Sequence, residues 1–148
     1  MIGSCNNRCV SVYIDGEWRR QSVTTSESGG SPGYWQDSYS KVPLLIAVEG
    51  LNYQLSAGIG VYMSTGQTTD ETWKCSITGE TGWHEVNFND DSWEPPIIIS
   101  STNNKDFAVD NNTYERFPEY VKWIWDSNGY SDLKTVYCRG VIGKLSYS

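Results

Sequence analysis

The chain has 148 residues, which is enough for one domain, residues 1–148, that buries a core without a metal or a partner. Its net charge of −7 argues against nucleic acid and anionic membranes as partners, because both attract Lys and Arg. Aromatic residues make up 14% of the chain, including seven Trp and ten Tyr, so some rings are expected at the surface, where a ring can bind a flat apolar face.

The beginning of the chain and its cysteines point to an oxidising compartment. "MIGSCNNRCV" lacks the regions of a signal peptide, which leaves either a signal that has been removed or a cytosolic protein. The four cysteines favour the first alternative, because a chain with one His favours two disulfides over a zinc site. The glycosylation acceptor Asn111–Thr113 agrees with export. No apolar run approaches the ~20 residues that cross a bilayer, so membrane insertion is not expected.

Alternating apolar residues predict β-strands from the start of the chain. In "CVSVYI", Cys9–Ile14, every second residue from Val10 is apolar, and the Asp15-Gly16 pair that follows is a strong hairpin signal. In "KVPLLIAVEG", Lys41–Gly50, the alternation places Leu44, Ile46 and Val48 on one face. Further short strands are predicted at 57–64, 72–77, 96–101, 121–127 and 135–143.

Clusters of Gly, Ser, Asn and Pro separate these segments, and none of the segments has the period of an amphipathic helix of useful length. No internal repeat or linker divides the chain. The sequence therefore predicts an all-β fold, an antiparallel β-sandwich of the jelly-roll kind with about eight strands and little helix. Trp83, Trp93, Trp123 and Trp125 are expected to fill its core.

A series of segments resembles a known superfamily. The segments are "VYIDGEW", "LLIAVEGLNYQLSAGIGV", "TWKCS", "GWHEVNFNDDSWEPP", "VKWIWDSN" and "TVYCRG", in that order. Together they resemble the galactose-binding-domain-like jelly roll found in lectins and carbohydrate-binding modules, and the resemblance runs from Cys9 to Gly143. It implies the jelly-roll fold and a sugar ligand of galactose type, but it does not identify the sugar.

The stretch "NFNDDSWEPPI", Asn87–Ile97, places two adjacent acids before a Trp and two prolines. We interpret it as architecture: an Asp side chain caps a short turn, Trp93 enters the core, and the prolines fix the entry into the next strand. A weaker alternative makes Asp90 and Asp91 calcium ligands, because hard cations take several oxygen ligands. A glycosidase pair is disfavoured, since adjacent residues in a strand or turn point apart.

The cysteines are predicted to form two disulfides. The strand pattern puts Cys75 and Cys138 in central strands, and neighbouring strands bring Cα atoms within disulfide distance, so we predict Cys75–Cys138. Elimination then leaves Cys5–Cys9, which closes a tiny loop. Free thiols or other partners for Cys5 and Cys9 stay open, because a short loop removes little entropy from the unfolded chain.

The loops at the two ends of the sandwich are the expected binding regions. One end is expected to collect Asp15–Trp18, Gly50–Tyr53, Gly82–His84 and Asp126–Tyr130, and the other Gly30–Trp35, Gly66–Asp70 and Asn111–Arg116. Sugar binding uses a Trp or Tyr ring together with polar side chains that orient the hydroxyls. The candidate ligand-binding residues are Tyr34, Trp35, Tyr114 and Arg116, which lie in the longer loops, and then Asn52, Tyr53 and His84.

The sequence thus predicts a secreted glycan-binding lectin that is not an enzyme and that gains avidity as a homo-oligomer. No nucleophile elbow or zinc-protease motif occurs, and His84 is the only His. The alternative is an extracellular structural or adhesion module whose acidic surface makes calcium-dependent contacts. A glycoside hydrolase is a third hypothesis. No cofactor is expected apart from that calcium.

Overall fold

A computed structural model describes residues 2–6, 8–23, 33–36, 43–52, 58–100, 120–129 and 133–142 of the chain. These residues form ten strands and no helix, which confirms the prediction of an all-β antiparallel sandwich of about eight strands with little helix. Sheet A contains β1 (Ile2–Asn6), β4 (Gly33–Gln36), β6 (Gly58–Tyr62), β8 (Ile97–Ser100) and β9 (Trp123–Trp125). Sheet B contains β2 (Arg8–Ile14), β3 (Glu17–Val23), β5 (Leu45–Asn52), β7 (Lys74–Ser76) and β10 (Lys134–Val141).

The chain passes back and forth between the two sheets. The strand order is β4-β1-β6-β9-β8 in sheet A and β3-β2-β5-β10-β7 in sheet B, and the neighbouring strands in both are antiparallel. Among the described strands, the connections β2 to β3 and β8 to β9 stay within one sheet, and the other connections cross to the opposite sheet. Repeated crossing of this kind is how a jelly roll builds two layers from one chain.

The core lies between the sheets and follows the two-residue period of the strands. In sheet B the inward-facing residues include Val12, Ile46, Val48 and Val136, and Ile59 of sheet A packs against them. All five side chains have no exposed surface. The alternation visible in the sequence therefore marks the face that each of these strands buries.

Both predicted disulfides are present. Cys75 of β7 and Cys138 of β10 are directly opposite in register, and their Cα atoms lie 4.1 Å apart. Cys5–Cys9 joins β1 of sheet A to β2 of sheet B, and both residues are fully buried. The sequence left this second disulfide undecided because its loop is short. In the structure the disulfide links one sheet to the other.

Tryptophan rings pack onto strand glycines. The four predicted core residues Trp83, Trp93, Trp123 and Trp125 are all buried. Of these four, only Trp125 belongs to the main cluster between the sheets, so the prediction is confirmed for burial but is wrong about the place of the other three. A Cβ added at Gly60 would lie 3.0 Å from the Trp123 ring, and one added at Gly140 would lie 2.1 Å from the ring of Trp73. Because each of these two glycines lacks a side chain, an indole ring can lie directly against its strand.

The Asp15-Gly16 pair forms the predicted hairpin turn between β2 and β3. Both residues have positive φ, 52° and 83°, as the tight two-residue turn requires. The Asp15 side chain also accepts hydrogen bonds from the backbone N–H groups of Leu44 and Leu45, each at 2.8 Å. This carboxylate attaches the hairpin to the beginning of β5.

The glycine contacts predict an order of stability losses. Because closely packed interiors lose about 1–3 kcal/mol on overpacking, we expect Gly140→Ala to lower the free energy of unfolding by about 3 kcal/mol, near the upper limit, and Gly60→Ala by about 1 kcal/mol, near the lower. Urea unfolding followed by circular dichroism measures both. Equal losses for the two variants would mean that Trp73 does not pack against Gly140.

Candidate functional site

Arg139 of β10 is a buried cation on the outer face of sheet B, the face directed away from sheet A. The residue is 2% exposed. Its Nε donates to the carbonyl oxygen of Trp83 at 2.7 Å, and its Nη2 donates to that of Glu85 at 2.8 Å. Its Nη1 contacts the carboxylate of Asp90. The guanidinium thus holds three points of one loop, and we call this arrangement the Arg139 clamp.

The loop held by the clamp covers the outer face of sheet B with a second apolar cluster. Trp83 and Trp93 lie against Ala47 of β5, with Phe88 and Tyr137 at the edge of the cluster. The ring centroid of Trp83 lies 5.0 Å from that of Tyr137, and that of Phe88 lies 5.5 Å from that of Trp93. Trp83 and Trp93 therefore lie outside the space between the sheets.

The "NDDSW" stretch is architectural, as predicted, but the prediction was wrong that an Asp side chain caps the turn and that Trp93 enters the core between the sheets. The Asn89 side chain accepts a hydrogen bond from the backbone N–H of Asp91 at 2.9 Å, and the Trp93 N–H donates to the Asp90 carbonyl at 2.9 Å. The turn is therefore capped by the Asn side chain, while the Asp90 carboxylate contacts Arg139 and lies 3.5 Å from Lys74 Nζ. Calcium at Asp90 and Asp91 stays a sequence hypothesis.

Four of the predicted ligand-binding residues lie in or beside described strands. Tyr34 and Trp35 belong to edge strand β4, opposite Ser4 and Gly3 of β1, and their side chains are outside the described set. Asn52 is the last residue of β5 and is fully buried, so it presents no amide to solvent. His84 is partly exposed and stacks on Tyr13.

The other three predicted ligand-binding residues, Tyr53, Tyr114 and Arg116, lie outside the described residues, as does the glycosylation acceptor Asn111–Thr113. Among the four that are described, only His84, in the β7–β8 connection, has a described side chain with exposed surface. Its Nδ1 lies 3.6 Å from Glu85 Oε1, and its ring is parallel to that of Tyr13 with the centroids 4.0 Å apart. The predicted residues therefore do not meet in one described cleft.

The structure changes the predicted grouping of the loops. Leu45 pairs with Val141 at one end of sheet B, and Asn52 pairs with Lys134 at the opposite end. The Asp15 turn lies at the Leu45 end, whereas Gly50–Asn52 and Asp126 lie at the Asn52 end, where Lys134 Nζ donates to Asp126 at 2.8 Å. The sequence interpretation placed these loops together because it had no strand at Gly33–Gln36, and one missing strand reverses the end of every later loop.

The described residues line an open cavity of about 210 Å³ at the Leu45 end of the sandwich, which we call the end cavity. It lies between the β6–β7 connection and the last residues of β10. Its lining combines polar and apolar side chains: Gln67, Thr68, Asp70, Thr72, Trp73 and Ile142, with Val141 and Gly66 beside them. Val141 is 45% exposed, so an apolar side chain stands at its rim.

The polar side of the end cavity is fixed by local hydrogen bonds. One oxygen of the Asp70 carboxylate, Oδ1, accepts from the backbone N–H of Thr72 at 2.8 Å and from the Thr72 hydroxyl. Thr69 anchors the same segment, because its hydroxyl donates to the Lys122 carbonyl at 2.5 Å. Asp70 is thereby oriented by the chain before any ligand arrives. The Gly66–Asp70 loop was predicted from the sequence, but the Asp-x-Thr pattern of residues 70–72 that marks this turn was not recognised.

An exposed ion pair lies next to Asp70. Lys122 Nζ donates to Glu71 Oε2 at 2.9 Å. This hydrogen bond lowers the pKa of the Glu71 carboxyl and raises the pKa of Lys122. Two neighbouring acids of the β6–β7 connection thus differ in role, because Glu71 has a cation of the chain as partner and Asp70 is held by Thr72.

A second polar group lies on the outer face of sheet B. Glu49 of β5 is directly opposite Ser11 of β2 and Tyr137 of β10, and the Ser11 hydroxyl donates to Glu49 Oε1 at 2.8 Å. Burial raises the pKa of the Tyr137 phenol, and the negative charge of Glu49 raises it further. The phenol therefore keeps its proton at neutral pH and is unsuited to act as a nucleophile.

The described part of the chain contains no group of three or more His, Cys, Asp or Glu side chains placed to hold a metal ion. It also has no helix long and apolar enough to cross a bilayer. Comparison of the chain with family models, curated proteins and solved structures gives no match. The superfamily resemblance therefore rests on the quoted motifs.

The clamp predicts a large difference between two arginine substitutions. Arg139→Ala removes the donor of two buried loop carbonyls and leaves Lys74 as the remaining cation beside Asp90, so we expect the free energy of unfolding to fall by about 3 kcal/mol. Arg19→Ala, which removes an exposed pair with Glu17, is expected to cost less than about 1 kcal/mol. Urea unfolding measures both, and similar losses would contradict the clamp.

Tyr137 predicts a loss of stability in alkali. A group whose folded pKa is raised contributes stability below its unfolded pKa, about 10 for Tyr, and this contribution disappears as the pH rises through the folded pKa. We therefore expect the free energy of unfolding to fall from pH 9 upward more steeply in the wild type than in Tyr137→Phe, as measured by urea unfolding at a series of pH values. Parallel curves would contradict it.

Proposed function

We infer that this protein is a non-catalytic glycan-binding protein, a lectin, and that the end cavity takes one sugar residue. The observation that carries the proposal is the composition of the cavity, in which a pre-oriented carboxylate, Asp70, lies in the same lining as the apolar side chains Val141 and Ile142. A pyranose has hydroxyls at its edge and C–H groups on its faces, so it needs both kinds of surface. About 210 Å³ suits a single residue better than an oligosaccharide.

The expected recognition uses few polar groups. Because Asp70 Oδ1 is engaged by Thr72, the other carboxylate oxygen is the acceptor for a sugar hydroxyl. Hydrogen bonds to a charged acceptor are the strong ones, and this one fixes the orientation of the sugar. Gln67 supplies a further donor. The Thr68 hydroxyl donates its proton to the Thr69 carbonyl, so its oxygen supplies a further acceptor, and Ile142 supports a C–H face. The preference for galactose-type sugars comes from the superfamily resemblance.

Several features support binding without catalysis. A glycosidase needs two carboxyl groups that face the scissile bond, about 5 Å apart or about 6.5–9.5 Å apart. Among the described lining residues, Asp70 is the one with a carboxylate, and the adjacent Glu71 is paired with Lys122. This arrangement favours a lectin over a hydrolase.

The setting proposed for this lectin is extracellular. The two disulfides are of the kind that forms and persists in oxidising compartments. One small site binds a monosaccharide weakly, so we also propose that the protein acts as a homo-oligomer, in which several sites engage one glycan surface. Agglutination of cells that a simple sugar reverses would support this arrangement.

The test is a galactose titration followed by ¹H–¹⁵N NMR in three proteins. For the wild type we expect saturable shifts of Asp70, Thr72, Ile142 and the Trp73 indole N–H. Asp70→Asn should raise the Kd about tenfold or more, because a charged acceptor is lost. Glu71→Gln is the matched control, since it removes a neighbouring carboxylate outside the described lining, and its Kd should equal that of the wild type.

Two outcomes would overturn the proposal. One is a glycan array that stays blank at every concentration, together with a titration that shifts no residue of the end cavity. The other is equal binding by Asp70→Asn and the wild type. Calcium-dependent self-association without any sugar binding would favour the alternative of an adhesion module.

A further inference from the structure

A carboxylate lies in the middle of the outer face of sheet B, and no cation among the described side chains pairs with it. Glu49 belongs to β5, the central strand of the sheet, and it is only partly exposed. Its described partner is the Ser11 hydroxyl, which donates to Oε1 at 2.8 Å. A carboxylate that loses part of its hydration in this way is costly unless a positive charge approaches it.

The cations whose side chains are described are engaged elsewhere. Each lies within 4 Å of an acid other than Glu49. The pairs are Arg19 with Glu17, Lys74 and Arg139 with Asp90, Lys122 with Glu71, and Lys134 with Asp126. Among the described side chains, none of these cations pairs with Glu49. Among the described side chains, none contacts the second oxygen of its carboxylate, Oε2, and we take this oxygen as the acceptor for an external donor.

Aromatic rings border this carboxylate. Tyr137 is directly opposite Glu49, and its ring centroid lies 5.0 Å from that of Trp83. The ring centroid of Trp83 also lies 5.7 Å from that of Tyr13, and Tyr13 is two residues after Ser11 in β2. Ring faces attract cations, and the phenol oxygen of Tyr137 is a further acceptor. The Arg139 clamp holds Trp83 in place over Ala47, so these rings are positioned in advance.

We propose that Glu49, Ser11 and Tyr137 form a binding site for the primary ammonium group of a small organic amine. An ammonium group has three N–H donors and one positive charge. Glu49 Oε2 and the oxygens of Ser11 and Tyr137 supply three acceptors around it, and the rings cover the carbon atoms next to the nitrogen. The net charge of −7 acts in the same direction, because it attracts cations and repels anions.

The site is separate from the end cavity and does not require that the protein be a lectin. The same ammonium chemistry can come from an amino sugar or from a simple alkyl amine. Glucosamine and n-butylammonium therefore serve as two probes, with N-acetylglucosamine as the matched control that keeps the sugar ring and removes the charge.

The experiment is a ¹H–¹⁵N NMR titration of the full chain at pH 7 and low salt. We expect both amines to shift Ser11, Ala47, Glu49 and Tyr137 with saturation in the millimolar range, and N-acetylglucosamine to leave these signals unchanged. Glu49→Gln should weaken binding about tenfold, whereas Glu94→Gln, the same charge change at an exposed position, should not. Added salt should weaken binding in the wild type.

The proposal is overturned if Glu49→Gln binds both amines as well as the wild type does, or if N-acetylglucosamine produces the same shifts. Glu49→Asp, which keeps the charge, checks that a loss in Glu49→Gln comes from the carboxylate and not from misfolding, and it should retain part of the affinity. Binding of glucosamine but not of n-butylammonium still supports the site and assigns it to amino sugars. Absence of shifts for both amines contradicts it, whatever galactose does at Asp70.

Discussion

The buried guanidinium of Arg139 is the interaction on which the surface of this sandwich depends. A charge removed from water needs partners in fixed directions, and the planar fork of an arginine meets two loop carbonyls and the carboxylate of Asp90 at once. A lysine carries the same charge but lacks the planar, forked arrangement of N–H donors. Through these contacts one strand residue fixes a loop that would otherwise lie in solvent, and with it the ring of Trp83.

The same strand links the two proposed binding regions. Arg139 faces outward and holds the loop beside Glu49 and Tyr137, whereas the next residue, Gly140, faces inward and accommodates Trp73. Val141 then stands at the rim of the end cavity. The charged, small and apolar residues that follow one another in β10, Arg139, Gly140 and Val141, therefore shape both the outer face of sheet B and the end of the sandwich.

Much of the fold could be predicted from the sequence, because alternation, turn residues and cysteine count act locally. The Asp15-Gly16 turn and the Cys75–Cys138 bridge are examples. The second apolar cluster could not be predicted, since Trp83 reads as a core residue whichever face of the sheet covers it. Glu49 was missed for a related reason: its neighbours Ser11 and Tyr137 are distant in sequence, and only the strand register brings them beside it. Nothing local in "VYCRG" signals that Arg139 clamps a loop.

The central functional claim is that a sugar occupies the end cavity with Asp70 as its charged acceptor. A crystal structure of the protein soaked in galactose tests it most directly. The account predicts density for one pyranose between Asp70 and Ile142, with a hydroxyl within hydrogen-bond distance of the carboxylate oxygen that Thr72 leaves unused. Galactose bound on another surface, or an end cavity without it at saturating concentration, would contradict the account.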